Sequence, residues 1–197
     1  MAQPIATTAL DQIFLEAHTH NKWTDRPVPP ELLRQLVATM IMGPTAANSL
    51  PARIVFVTSP EGKKRLEPHL SENNRAKTMQ APVTAIIGYD LRFYENLIKT
   101  FPHNPGARSW FDGDPVAAEA TAFRSSSLQG AYLIIAARAL GLDCGPMSGF
   151  DNAGVDREFF PGGRIKSNFI CALGYGDPAG VRPRGPRLSF EEMAEIV

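Results

Sequence analysis

The sequence predicts an α+β fold in which helices flank a central mixed sheet, and three observations support this prediction. Short β-branched runs bounded by Gly, Pro or Asp alternate with segments of helical periodicity. Residues 116–140 form a long segment without proline that is apolar on nearly every side from Leu128 to Leu140. The chain has 197 residues, 44% of them apolar, and can bury one core without a break in composition. We therefore expect a single domain spanning residues 1–197.

Two amphipathic helices are expected at the start of the chain. The first is indicated by apolar residues at helical spacing, which are Leu10, Ile13, Phe14 and Ala17. The second occupies residues 32–40, because it follows two prolines and the pattern stops at Gly43. Strands are predicted at residues 54–58, 82–89 and 168–173, where β-branched side chains are concentrated.

The long apolar segment, residues 116–140, is predicted to be a core helix enclosed on all sides and ended by Gly141 as its C-cap. Residues 101–115, punctuated by Gly and Pro, are expected to form a long ordered loop of the kind that often covers a site. Residues 177–187 form an extended tail rich in Pro, Gly and Arg. A short helix follows, with Ser189 and Glu192 at capping-box spacing.

Composition limits the classes of partner. Twenty basic residues balance twenty acidic ones, so neither nucleic acid nor an anionic membrane surface is expected to bind. Residues 1–9 resemble no export signal and no segment is apolar enough to span a bilayer, which favours a cytoplasmic protein. Cys144 and Cys171 lie far apart without a CxxC pair and are predicted to be buried thiols. His18 and His20 lack the acidic or thiol neighbours of a metal site, so no metal is predicted.

The sequence contains no nucleophile elbow, zinc motif, Walker loop or dinucleotide fingerprint, so demanding chemistry would have to come from a cofactor. A flavin needs donors for its phosphate, backbone contacts along its ring and positive charge near the ring. Residues 43–51 form a small polar segment that could provide some of these contacts, although the same pattern is typical of an ordinary loop. Asn74 and Lys77 are three residues apart and could share one helix face towards a ligand, or face solvent.

Two later segments could also contact such a cofactor. In residues 145–151 the glycines would let backbone N–H groups approach a ligand closely, with Asp151 capping a following helix. A tight turn and cap without a ligand would have the same pattern. The arginines of the tail suit a phosphate through their bidentate geometry, although they are equally typical of a solvated tail; they are Arg182, Arg184 and Arg187.

In their order, these segments resemble the nitroreductase-like flavoprotein family. That family has an N-terminal R-x-S-x-R-x-aromatic motif, then G-P-S-x-x-N-x-Q-P, Asn-x-x-Lys, a long core helix, P-x-x-G-F-D and a basic C-terminal end. Residues 43–53, 107–111, 145–151 and 186–192 look like its malonic semialdehyde reductase branch. The resemblance implies the FMN-dependent nitroreductase-like fold, an intertwined homodimer, bound FMN, and NADH or NADPH as reductant.

The resemblance also implies residue roles. Asn74 and Lys77 would contact the flavin ring or ribityl chain, and the loop contributed across the dimer interface would include Pro44, Thr45 and Asn48. The ring edge would be lined by Pro146, Met147, Ser148 and Gly149, with the Ser148 N–H facing N5. Arg184 and Arg187 match the phosphate-binding end.

The N-terminal motif departs from the family pattern. Residues 17–23 keep a hydroxyl at Thr19 and an aromatic ring at Trp23 but lack both cations, and Leu50 replaces the usual Gln. Weaker FMN retention is therefore expected, with His18, Thr19 and Asn21 as the remaining N-terminal contacts.

The activity implied is reduction of malonic semialdehyde to 3-hydroxypropionate in pyrimidine degradation, by hydride transfer from NAD(P)H through flavin N5. Lys77 would stabilise the anionic reduced ring, and Arg108 in the long loop would bind the substrate carboxylate. Arg108 could equally form a surface pair with Asp112 or Asp114. The alternatives are a broad nitro- or quinone reductase of the same fold and a flavin-binding protein without turnover. No Rossmann marker distinguishes NADH from NADPH.

Overall fold

The computed structural model describes residues 3–197 and is built around a four-stranded sheet with the order β1-β2-β4-β3. The strands are β1 (Ala52–Val57), β2 (Val83–Asp90), β3 (Asp143–Met147) and β4 (Ile165–Gly174). Each neighbouring pair is antiparallel. The expectation of a mixed sheet is therefore corrected: among residues 3–197 the parallel pairing is confined to an isolated bridge between Thr19 and Cys144. A connection between two strands can contain a helix and still leave the strands antiparallel, because the chain need not cross back to the starting end of the sheet.

Helices cover both faces of this sheet. They are α1 (Thr7–Leu10), α2 (Pro30–Met40), α3 (Pro60–Leu66), α4 (Glu72–Gln80), α5 (Leu97–Thr100), α6 (Pro115–Ala139), α7 (Asn152–Phe159) and α8 (Phe190–Met193). A single π-helical turn, Asp11–Leu15, continues α1. Short 3₁₀ turns also occur at Ala46–Asn48, Glu67–His69, Phe93–Asn96, Pro105–Trp110 and Pro178–Gly180. Of the N-terminal segment expected to lack an export signal, Met1 and Ala2 lie outside the described residues.

Several local predictions are confirmed. The helix expected at residues 32–40 is α2, the long helix is α6, and the three predicted strands correspond to β1, β2 and β4. Gly141 adopts a φ of +79° directly after α6, and the Leu142 N–H donates to the Ala137 carbonyl at 2.8 Å, as a glycine C-cap requires. Ser189 and Glu192 form the expected capping box of α8. Both cysteines are buried.

Strand β3 was not predicted. Residues 145–151 were expected to be irregular throughout, but Gly145, Pro146 and Met147 belong to β3 and pair with Ala172, Cys171 and Ile170 of β4. This pairing depends on β4, which follows later in the chain, and Gly and Pro have low intrinsic strand propensity. Only the second half of the predicted irregular segment, from Ser148 onwards, lies outside a strand, and Phe150 within it forms an isolated antiparallel bridge with Leu70.

The two faces of the sheet bury two separate apolar clusters, because side chains alternate along each strand. Ile87 of β2 and Leu173 of β4 pack with Leu36 of α2 and Leu133 of α6. On the other face the next residues along the strands pack beneath α3 and α7, and this cluster includes Trp23, Leu66, Ile86, Val155 and Ile170.

Helix α6 is not enclosed on all sides within this chain, which corrects the prediction. Leu133 is fully buried, but Phe123, Leu128 and Tyr132 are 49%, 45% and 37% exposed. On its buried side Gly130 lets the helix approach β4, since a Cβ there would lie 2.4 Å from the Phe169 ring. The sequence of this helix is apolar on nearly every side, but the described residues of one chain cover only part of its surface.

A buried carboxylate joins the ends of β1, β2 and β4. Asp90 accepts hydrogen bonds from Arg53 Nη2 at 2.8 Å, from Arg164 Nε and Nη2 at 2.8 and 2.9 Å, and from the Arg92 N–H at 2.9 Å. Burial by itself would raise the pKa of Asp90. The hydrogen bonds from Arg164 and Arg92 and the charge of Arg53 outweigh burial and hold that pKa below its ordinary value.

Candidate functional site

The N-terminal segment, residues 17–23, lies between the sheet and helix α4. Thr19 bridges to Cys144 of β3, and the His20 N–H donates to the Cys144 carbonyl at 3.0 Å. Trp23 Nε1 donates to the Lys77 carbonyl at 3.1 Å. The segment that lacks the family's cations is thus placed beside both β3 and the helix that carries Lys77.

His20 has a packing role in this segment. Its Nε2 lies 3.3 Å from Asp143 Oδ1. Gly176 makes room for the ring, because a Cβ at that position would lie 1.8 Å from His20 Nδ1. The two histidines therefore differ: His20 is buried and does not line the first cavity described below, whereas His18 does.

Two adjoining cavities follow this segment, and we call them together the basic cleft. The first, of about 420 Å³, is lined by Phe14, Ala17, His18, Thr19, Asn21, Arg138, Arg182, Pro183, Arg184, Gly185 and Arg187. The second, of about 710 Å³, is lined by Asn21, Lys22, Asn73, Ala76, Lys77, Gln80 and Arg182. Asn21 and Arg182 belong to both, so the two cavities form a continuous concave surface.

The arginines of the first cavity are not neutralised by carboxylates. Arg138, Arg182, Arg184 and Arg187 have no Asp or Glu partner at salt-bridge distance within residues 3–197. The tail is also folded back onto the N-terminal segment, because Arg184 Nη2 donates to the carbonyls of Leu15 and Ala17. Four uncompensated guanidinium groups around one cavity favour an anionic ligand, and a phosphate matches their geometry.

Lys77 lies at the second cavity, on the last turn of α4. Burial, and secondly the charge of Arg182, lower the pKa of Lys77 from its ordinary value. Asn74, which was expected to share its face, instead donates from Nδ2 to the Gly149 carbonyl at 3.0 Å. The helix face at the cavity carries Asn73, Ala76 and Gln80 beside Lys77.

The end of β3 and the segment that follows it, residues 147–151, are held against α4 by several contacts. The Gly149 carbonyl also accepts from the Ser71 N–H at 3.2 Å, and Thr78 Oγ1 lies 3.4 Å from Met147 Sδ. A Cβ at Gly149 would lie 2.6 Å from Asn74 Nδ2, so a larger residue there would displace the Asn74 amide from this contact. Ser148 is exposed, and the residues expected at the ring edge line neither cavity of the basic cleft; these are Pro146, Met147, Ser148 and Gly149.

Asp151 occupies the N-cap position of α7, but its side chain makes no capping hydrogen bond, contrary to expectation. Its Oδ2 lies 3.9 Å from His69 Nδ1 instead, and its N–H donates to the His69 carbonyl at 2.7 Å. The carboxylate therefore lies between His69 and Gly154 of the first turn of α7 without making a capping hydrogen bond.

Lys63 is a buried cation that the sequence did not indicate. From α3 its Nζ donates to the Thr78 carbonyl at 2.7 Å and to Thr84 Oγ1 at 2.6 Å. Burial lowers the pKa of Lys63 to about 8. This lysine connects the C-terminal end of α4 to β2, so it positions the helix that carries Lys77. The sequence signal was only a lysine at helical spacing from a buried leucine.

The segment with Pro44, Thr45 and Asn48 does not reach the basic cleft of its own chain. Thr45 Oγ1 accepts from the Leu50 N–H at 3.2 Å, and Asn48 Nδ2 donates to the Thr100 carbonyl at 2.7 Å. Ala47, Asn48 and Leu50 adopt φ values of 50°, 48° and 43°, in the left-handed region that favours glycine. The segment is a defined hook rather than an irregular loop.

Arg108 lies in the long loop before α6, in the turn Pro105–Trp110. Its Nε donates to Asp112 Oδ2 at 2.8 Å, and the two side chains are 56% and 47% exposed. Asp114 instead caps α6 by accepting from the Ala117 N–H at 2.9 Å. Arg108 thus forms one of the two surface pairs considered for it and lines neither cavity of the basic cleft.

Two features are absent from the described part of the chain. No helix in residues 3–197 combines the length and apolarity needed to cross a bilayer. In the same residues, no three His, Cys, Asp or Glu side chains lie together in a way that could hold a metal ion.

Comparison with known proteins gave consistent matches. The profile of the Nitroreductase family matches residues 15–176. A relative from Burkholderia lata, provisionally named NADH dehydrogenase/NAD(P)H nitroreductase, is 60% identical over 192 residues, 98% of each chain. The structure of an Exiguobacterium sibiricum protein, provisionally a nitroreductase and complexed with FMN, superposes with a TM-score of 0.87 at 18% identity, covering 100% of both chains. A Staphylococcus epidermidis protein, provisionally an NAD(P)H:FMN oxidoreductase, gives 0.86 at 18% identity over the same coverage. At such identities the structures establish the fold alone.

Proposed function

The chain belongs to the nitroreductase family, and on that premise we propose that it is an FMN-dependent oxidoreductase that uses NADH or NADPH as its reductant. The observation that carries this proposal is the basic cleft, in which uncompensated arginines lie next to Lys77. The FMN complex of the Exiguobacterium sibiricum protein and the names of the relatives support the same cofactors.

The residues at the cleft fit FMN. Arg184 and Arg187 would hold its phosphate, and His18, Thr19 and Asn21 would contact it from the N-terminal segment. When bound, FMN supplies hydride transfer between a nicotinamide and an electron-poor acceptor, which the side chains cannot perform alone. Lys77 provides positive charge at the second cavity, and Trp23 and Lys63 fix the end of the helix that presents it. A fixed charge stabilises developing negative charge without reorganisation.

For the acceptor we propose a short aldehyde that carries a carboxylate, namely malonic semialdehyde, which would be reduced to 3-hydroxypropionate during pyrimidine degradation. The cationic lining of the second cavity supports an anionic acceptor, since Lys22, Lys77 and Arg182 are its charged residues. Among residues 3–197, no aromatic side chain lines that cavity to provide a surface on which a neutral nitroaromatic could stack.

A broad nitro- or quinone reductase is the second candidate, and the names of the relatives favour it. The two functions are separated by loading the purified protein with FMN, reducing it with NADH without oxygen, and mixing it with malonic semialdehyde or a nitroaromatic. Faster reoxidation by the aldehyde would support the first proposal, and faster reoxidation by the nitroaromatic the second. A protein that binds FMN but is reoxidised by neither would be a flavin-binding protein without turnover.

Arg108 is also proposed to recognise the substrate carboxylate; because it lines neither cavity of the basic cleft in its own chain, this role requires that it act at the partner's site in the proposed dimer. We expect Arg108→Ala to lower kcat/KM for malonic semialdehyde about tenfold, equivalent to ~1.4 kcal/mol. The effect is modest because the guanidinium is exposed and paired with Asp112, so water screens its charge. Propanal, which lacks the carboxylate, should react at an unchanged rate.

Asp112→Asn provides the matched control, because it removes the competing carboxylate and leaves Arg108 in place. Its kcat/KM for malonic semialdehyde should stay the same or rise. Equal losses on both aldehydes in Arg108→Ala would assign Arg108 to loop structure, and no loss on either would leave it a surface residue.

We also propose an intertwined homodimer in which the hook with Pro44, Thr45 and Asn48 reaches the partner's site. The exposed apolar side of α6, with Leu128 and Tyr132, supports this proposal.

The expected sedimentation mass is twice the chain mass of 21.5 kDa. Leu128→Glu should shift the protein towards monomer, because it places a charge on the exposed apolar side of α6. Arg157→Glu, a change at an exposed position of α7, should not. A wild-type protein that sediments as a monomer and still binds FMN would contradict the dimer.

A further inference from the structure

Arg138 is a cation of the basic cleft that no sequence pattern indicated. It occupies the last turn of α6, whereas the other arginines of the first cavity belong to the C-terminal tail. Its Nη1 donates to the Ile13 carbonyl at 3.0 Å, and Gln12 Nε2 donates to the Arg138 carbonyl at 2.7 Å. The π-helical turn therefore fixes both the backbone and the guanidinium group of this arginine.

The hydrogen bonds of Arg138 are incomplete. Its Nε is buried and has no partner among the described residues. A buried donor without an acceptor costs about 1–3 kcal/mol, and more when the group is charged. Arg138 also lines a third cavity of about 400 Å³, where Glu16 and Asp143 are the acidic residues, yet neither carboxylate is at salt-bridge distance. The acidic residues of this cavity are thus not its partners.

We infer that Arg138 binds the phosphate of FMN, an inference that rests on the proposed function. Residues 17–21 contain no Lys or Arg, so the N-terminal side of the first cavity has no permanent positive charge of its own. Arg138 lines the same cavity as His18 and Thr19, and it reaches that cavity from the last turn of a 25-residue helix rather than from the C-terminal tail. A phosphate oxygen in this cavity would accept from the part of the guanidinium that lines it, whereas the buried Nε stays out of its reach.

The test compares two flavins that differ only in the phosphate. Protein freed of flavin is titrated with FMN and with riboflavin, and the dissociation constants are obtained from fluorescence quenching. In Arg138→Met the dissociation constant for FMN should rise about 10- to 100-fold, the range for one charge-assisted hydrogen bond. The dissociation constant for riboflavin should change less than about threefold. In Arg138→Lys, which keeps the charge without the planar fork, the dissociation constant for FMN should lie between those of the wild type and Arg138→Met.

Arg157→Met is the matched control, because Arg157 occupies the last turn of α7, is exposed and lines neither cavity of the cleft. It should bind both flavins like wild type. Equal weakening of both flavins in Arg138→Met would assign Arg138 to the Ile13 contact and overturn the inference. Unchanged FMN binding would also overturn it while leaving the proposed function intact. Failure of the wild-type protein to bind FMN would overturn the proposed function, and this inference with it.

Discussion

Lys77→Ala is expected to slow the reduction of FMN-loaded protein by NADH about 100- to 1,000-fold, the usual loss when one preorganised electrostatic group is removed. The dissociation constant for FMN should rise less than about tenfold, because the negative charge that Lys77 offsets develops mainly as hydride arrives. Stopped-flow absorbance gives the rate, and a fluorescence titration gives the affinity. Lys22→Ala is the matched control, since Lys22 lines the same cavity but is exposed. Its rate should fall less than about threefold.

The lowered pKa of Lys77 gives this prediction a second readout. Only the protonated lysine stabilises negative charge, so the wild-type reduction rate should fall as pH rises through a value below that of an ordinary lysine. In Lys77→Arg the reduction rate should not fall over this pH range, because a guanidinium stays charged. Equal losses in rate and in FMN affinity would instead assign Lys77 to uniform cofactor binding.

Asp90→Ala is expected to lower the free energy of unfolding by about 3 kcal/mol. Breaking a buried ion pair costs about 3–5 kcal/mol, and the lower end applies here because the partner side chains Arg53 and Arg164 are 33% and 41% exposed and can be hydrated. Urea unfolding at neutral pH measures the change. Glu158→Ala, which removes a surface partner of Arg65, should cost less than about 1 kcal/mol. Equal losses of unfolding free energy in Asp90→Ala and Glu158→Ala would contradict the argument that burial makes the Asp90 ion pairs stronger than a surface pair.

The pH dependence of Asp90 has a defined sign. Its folded pKa lies below the ordinary value of 3.8, so its contribution is complete above that value and is lost as the pH falls through the folded pKa. Asp90→Asn should therefore unfold with a smaller dependence on pH in this acidic range than the wild type. If Asp90→Asn and the wild type lose stability equally as the pH falls, other carboxylates determine the acid dependence of stability.

Predictions from local signals agree best with the structure. Helix α6 and its Gly141 cap, like the capping box at Ser189, depend on residues within a few positions of one another. Strand β3 depends instead on hydrogen bonds to β4, and the antiparallel order depends on pairings between strands that are distant in the chain, which no local pattern contains. Enclosure of α6 was overestimated for a related reason: an apolar surface indicates that a cover exists but not which chain supplies it.

Predictions of site residues likewise agree with the structure where the signal is local and fail where the contact is long-range. Lys77 and the tail arginines were selected by residue type and spacing, and the fold brings them to one cleft. Arg138 was missed because the carbonyl it contacts lies 125 residues away, and Lys63 because its hydroxyl partner is on β2. Asn74 shows the converse, since helical spacing placed it beside Lys77 but the Gly149 carbonyl, 75 residues later, engages its amide.

The hook around Ala47 has a consequence for the energetics of assembly. Non-glycine residues in sparsely populated backbone regions cost about 1–3 kcal/mol each and persist only where their surroundings determine them. Here the surroundings are the Thr45 hydroxyl and the Thr100 carbonyl of the same chain. The entropy of ordering this segment is therefore already lost on folding, before any encounter. A second molecule that docks against the hook meets a preformed surface, so association should require little local rearrangement.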